Sequence, residues 1–191
     1  MKRVKIDGML LSTFLTTLFY SATYPYIHKY IVSIIPDSFL AGQNIICCLS
    51  IIVFGHLWNK YPEALFSKFP MLCIVEFVST AISAAVVLIT NNVNAYFVLD
   101  TLFFALISRN IICGAIKLKA RRYTAETDRT EFDNKDNSMC AIATIIGSLV
   151  AMVLSLDFHI MIILASVGNL IDNVFYITIY YSTKKAGEIN E

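Results

Sequence analysis

Arg109, Asp100, Asp172 and Glu76 stand inside long apolar runs of this 191-residue chain. An ionised side chain near the centre of a bilayer costs about 2.5–3.5 kcal/mol on insertion scales, so each of the four needs a partner or a task. Arg109, followed by Asn110, offers a permanent positive charge with a planar donor fork, which suits a substrate or proton role or neutralisation by one of the acids. Asp100, Asp172 and Glu76 are carboxyls able to carry a proton or an ion, and Asp172 is flanked by Asn169 and Asn173. The competing expectation is mutual neutralisation that simply locks a helix bundle. No nucleophile and base stand out: His56 lies two helical turns from Cys48, a coincidence expected among three histidines and five cysteines. No catalytic residue, metal cluster or cofactor is expected, and the chain is not read as an enzyme.

Two patterns of uncharged residues accompany these groups. Thr13, Thr17, Tyr20, Tyr24 and His28 follow one another at intervals of four, three, four and four, so they share one face of a helix. Hydroxyls and aromatic rims on one side of a membrane helix suit a polar cavity; hydrogen bonding to a neighbouring helix is the alternative, at about 0.6–2 kcal/mol per contact. Ala143, Gly147, Ala151 and Ser155 recur every four residues, a ridge that lets another helix approach closely, from the same chain or from another subunit.

These residues must be positioned by helices long enough to cross a membrane. The chain is 57% hydrophobic and 15% charged, with a mean hydropathy of +0.67 and a formal net charge of +1. Soluble domains carry about 25% charged residues, and a fold of this size leaves roughly 30% of its unfolded surface in water. Such an apolar excess excludes a disordered chain and a disulfide-stapled secreted module. The near-zero charge argues against nucleic acid as a partner. The expected class is all-α: a polytopic membrane protein forming one domain over residues 1–191. Six spans are predicted near 9–33, 39–58, 70–90, 95–117, 138–156 and 159–181, each close to the roughly 20 residues a bilayer demands.

Punctuation separates the spans. Pro36-Asp37-Ser38 is expected to close the first and cap the second, and Asn59 to Phe69, with Pro62, to form a connector. Asn91 to Asn94 and Leu156-Asp157-Phe158 read as turns. The segment 118–137 is a mixed-charge loop, expected to be a solvated cytoplasmic connector. Thirteen of the fifteen basic residues fall on one side of this arrangement, the exceptions being Lys29 and Arg109 inside spans. By the positive-inside rule both termini face the cytoplasm of a multi-pass protein in the cell membrane.

Three short motifs carry a family resemblance. Gly55-His56-Leu57-Trp58-Asn59-Lys60 stands where major facilitator superfamily transporters have a Gly-x-Leu-x-Asp-Arg/Lys signature between spans 2 and 3. Asn59 replaces the acid, and Pro62 and Glu63 replace the glycine and arginine that follow. Arg109 with Gly114 resembles the span 4 arginine motif, the glycine falling one residue late. Arg129-Thr130-Glu131 resembles the approach to span 5, whereas the glycine–proline signature of antiporters is missing there apart from Gly147. The chain thus resembles the N-terminal six-helix half of that family.

The resemblance implies that spans 1 and 4 line a central cavity, with Thr13, Thr17, Tyr20, Tyr24, Arg109 and Asn110 facing a small-molecule solute. It also implies a missing half. Two copies related by an axis along the membrane normal would supply it, so a homodimer, or a heterodimer with a second half-transporter, is expected, with Ala143, Gly147, Ala151 and Ser155 as part of the seam. The alternative is a non-transporting membrane subunit or immunity-type protein packed against a larger complex. Glu76 and Asp172 favour that alternative if they face lipid. A substrate-binding subunit of an energy-coupling-factor importer is a further variant, lacking here the expected small-residue motif in its first span.

Overall fold

The computed structural model describes residues 2–107, 111, 114–115, 126–153 and 157–188. Every regular element among them is a helix: α1 Lys2–Ile34, α2 Asp37–Lys60, α3 Pro62–Thr90, α4 Val93–Ile107, α5 Glu126–Val153 and α6 Phe158–Glu188. Four have a segment long and apolar enough to cross a membrane, namely α2, α3, Thr130–Val153 of α5 and Phe158–Ser182 of α6. Described α4 is a shorter apolar helix, and the threonines and tyrosines recurring along α1 dilute its hydropathy below that of the four.

Local chemistry explains where the helices stop. Asn91 ends α3 in the left-handed region at φ 52°, which asparagine tolerates better than most residues, and its N–H reaches the Val87 carbonyl. The Asn92 side chain accepts the Ala95 N–H at 3.0 Å and so caps α4. Asp157 does the same for α6, taking the His159 N–H at 2.8 Å. The expected cap of α2 is different. Pro36 itself occupies the cap position without a side-chain bond, and Asp37 lies in the first turn, where its charge favours the positive end of the helix.

Two expected connectors are largely helical. Between α2 and α3 only Tyr61 breaks the helices, because Pro62 takes the first helical position, where its missing N–H costs nothing. The connector expected over Asn59 to Phe69 is corrected accordingly, and α3 also runs on through Pro70. Likewise residues 126–137 of the expected loop belong to α5, where Lys135 and Glu131 pair one turn apart at 2.6 Å.

Packing follows a regular scheme. α1 lies against α5 and α6, α4 lies against α2 and α3, and α3 meets α6; α1 and α4 touch only lightly. Exchanging the first three helices for the last three maps the α1–α5 contact onto α4–α2 and the α1–α6 contact onto α4–α3, and leaves α3–α6 and α1–α4 in place; α2 also touches α3 lightly. Apolar side chains gather at the two ends of the central trio α1, α3 and α6. Met9, Leu10, Phe66, Phe69, Phe132 and Tyr180 form one cluster, in which the Phe69 and Tyr180 rings stack at 6.2 Å. Ile27, Val87, Val93, Phe158, Met161 and Ile162 form the other.

Candidate functional site

A polar layer crosses the trio between those clusters. Its centre is Glu76 on α3, whose two carboxylate oxygens each accept a carboxamide N–H from α6, from Asn169 and from Asn173, both at 2.6 Å. The Asn173 amide also donates to the Asn169 carbonyl at 2.9 Å, which fixes its rotamer one turn away. Asp172, 4% exposed, turns to α1 and accepts the Thr16 hydroxyl at 2.8 Å. Asp100 is half-buried on α4, and Glu76 is the acid whose charge acts on it. Glu76 on α3 and Asp172 on α6 are thus held at one level of the bundle, and Asp100 on α4 lies within electrostatic reach of Glu76. Glu76 and Asp172 are engaged inside the bundle and do not face lipid. Spacing alone does not reveal that Thr16 donates to Asp172 or that the Asn169 carboxamide donates to Glu76, since these bonds join residues 156 and 93 positions apart in the chain.

Arg109 and Asn110 lie outside the described residues, as does Ser155.

The stripe on α1 divides into two. Thr13 is buried, and Thr17 meets the Cys140 thiol of α5 at 3.5 Å, so the lower part packs on a neighbouring helix. Tyr20 and Tyr24 are 57% and 45% exposed, with rings stacked at 4.6 Å, and Tyr24 stacks in turn on His28 at 5.5 Å. The upper part is an open aromatic ladder carrying hydroxyls and an imidazole.

The small-residue ridge is occupied within the chain. A Cβ on Gly147 would lie 2.7 Å from the Leu18 carbonyl oxygen and 2.8 Å from the Ser21 Cβ, so α1 and α5 touch through backbone there. Ala143 and Ala151 are buried beside it, and the Tyr26 hydroxyl donates to the Ala151 carbonyl. At Ala143, Gly147 and Ala151 the ridge is thus packed on α1 within the chain. Gly168 on α6 makes an equally close approach to Phe19, which the sequence pattern did not single out because it belongs to no repeat of small residues.

Among the described residues no group of three metal-ligating side chains occurs. Chemically, this arrangement can hold charge in a shielded layer and present a polar aromatic face beside it. No family model, no curated protein and no solved structure matches the chain.

Proposed function

We propose that the chain is a half-size membrane transporter, six spans with both termini in the cytoplasm, that pairs with a second half to enclose a cavity for a small solute. The observation that carries this reading is the exposed ladder of Tyr20, Tyr24 and His28 on α1. The Tyr20 and Tyr24 hydroxyls share one hydrogen bond between them, so facing hydrocarbon this face would still carry an unpaired hydroxyl donor and the His28 imidazole, whereas water or solute in a cavity supplies partners. The exchange relation among the helix contacts supports the same reading, because transporter halves are built from repeats of three spans related in this way. Glu76, Asp100 and Asp172 are the residues at which an ion or proton would couple to solute movement, and Arg109 and Asn110 would complete the cavity on span 4.

Subunit stoichiometry in lipid nanodiscs tests the pairing. Native mass spectrometry at low protein concentration is expected to find a dimer; a strict monomer overturns the homodimer and directs the search to a different partner half. Water access tests the cavity itself. In a chain whose native cysteines are replaced by serine, Tyr24→Cys is expected to react with a hydrophilic thiol reagent in intact membranes. Val174→Cys on α6, somewhat more exposed than Tyr24 in the isolated chain, should stay unreactive because lipid covers it. Equal silence at both positions rules out a water-filled face on α1.

A further inference from the structure

Lys29 has a different environment from the cytoplasmic lysines. It is exposed on α1 one turn and a half before the helix ends, and it lines two crevices at once. One, of about 360 Å³, runs between α1 and α5 along Pro25, Ser148, Ala151 and Met152. The other, of about 210 Å³, is closed by Tyr30 and Phe158, whose rings stack at 4.1 Å. Among the described residues Lys29 has no ion-pair or hydrogen-bond partner. The acids at this end are otherwise engaged: Asp157 is held by His159, and Asp37 sits at the positive start of α2.

A lysine this close to a helix end extends its stem to the headgroup level and keeps its ammonium there. That alone needs no pocket. Here the ammonium stands between two recesses with apolar walls and hydroxyl-bearing rims, which is the shape an amphiphile with a charged end fills. We propose that Lys29 and its flanking crevices bind an amphiphilic anion. Its carboxylate or phosphate would sit at the ammonium beside Ser148, and its apolar chain against Pro25, Ala151 and Met152. Lys29 lies on roughly the opposite side of α1 from Tyr20 and Tyr24, nine and five residues away at about 100° each. The site is contained in one chain, so it stands or falls independently of the transport reading.

An anionic phospholipid and a free fatty carboxylate offer the same chemistry, and one experiment separates them. The full chain is released for native mass spectrometry from phosphatidylcholine nanodiscs containing either phosphatidylglycerol or decanoate. Wild type is expected to retain one of these anions with about a fivefold preference over phosphatidylcholine, as one lysine near an anionic group supplies. Lys29→Gln should lose the preference and Lys29→Arg should keep it. Ser148→Leu, which fills the larger crevice while leaving the charge, should also lose it. Retention of phosphatidylglycerol but not of decanoate assigns the site to lipid, and retention of decanoate, with or without phosphatidylglycerol in the other discs, assigns it to a free carboxylate. No preference in wild type, or one that persists in Lys29→Gln, overturns the proposal.

Discussion

The bonds to Glu76 are the most consequential single contacts in the molecule. Two carboxamides hold one carboxylate between helices, and losing either leaves an acceptor short of a donor where water is scarce. Asn173→Ala is expected to cost about 1–3 kcal/mol, read as a lower midpoint in denaturant titration of the detergent-solubilised chain. Asn173→Asp should cost more, because it sets a second carboxylate against the first. At the end of the bundle, Asp157 has its carboxyl held below the usual range, first by the His159 backbone N–H and then by the His159 ring. A carboxyl of this kind contributes stability above its unfolded value, near pH 4, and loses that contribution as pH falls through the lower folded value. The thermal midpoint of wild type should therefore fall more steeply between pH 5 and pH 3 than that of Asp157→Asn (the window follows from about 3.9 for a free aspartate). At this scale the sequence was informative about which residues matter and silent about their partners. Asp172 between two asparagines announces a polar patch, yet nothing local says that Asn169 and Asn173 serve an acid on α3 while Asp172 serves Thr16 on α1.

Helices are positioned by small residues. Gly147 on α5 and Gly168 on α6 bring two backbones against α1, one against Leu18 and Ser21 and the other against Phe19. Lipid competes with any apolar contact between helices, so it is close packing, rather than removal from water, that holds α1 in place. Gly147→Ala should push α1 and α5 apart, because the nearest obstacle is a carbonyl oxygen and not a movable side-chain tip. A loss of about 1–3 kcal/mol is expected in a denaturation series, with Gly42→Ala, which meets open space, as the silent control. The repeat of small residues was legible as a contact surface, but its occupant was not, since a ridge fits a neighbour from either chain. Helix ends were misread for a related reason. Hydropathy marks where lipid begins and says little about where helix begins. Residues 62–69 and 126–137 carry charges that read as connectors between apolar runs, yet they are helical through a proline at the first helical position and a Glu131–Lys135 pair.

At the scale of the molecule, four apolar helices and their connections agree with the composition, and a helical membrane protein is what the whole sequence describes. The order in space was not legible. Hydropathy identifies spans one at a time, whereas contact between α1 and the last two helices depends on glycines and polar bonds far apart in the chain. The proposed pairing of halves carries its own expectation at this scale. Replacing Tyr20 and Tyr24 together by alanine should leave the midpoint of the isolated chain within about 0.5 kcal/mol, because both are exposed, while abolishing solute-dependent protection in the paired form. Unchanged protection in a transport-competent pair would place the solute elsewhere. The contact order has one more consequence. A ribosome delivers α1 first and the helices that grip it last, on the order of ten seconds later at ordinary elongation rates. Thr16 waits through that interval for an aspartate 156 positions downstream. The insertion apparatus, or the lipid at its exit, has to shelter a threonine- and tyrosine-rich helix until α5 and α6 arrive, so the passage most open to quality control is the birth of the chain and not its finished state.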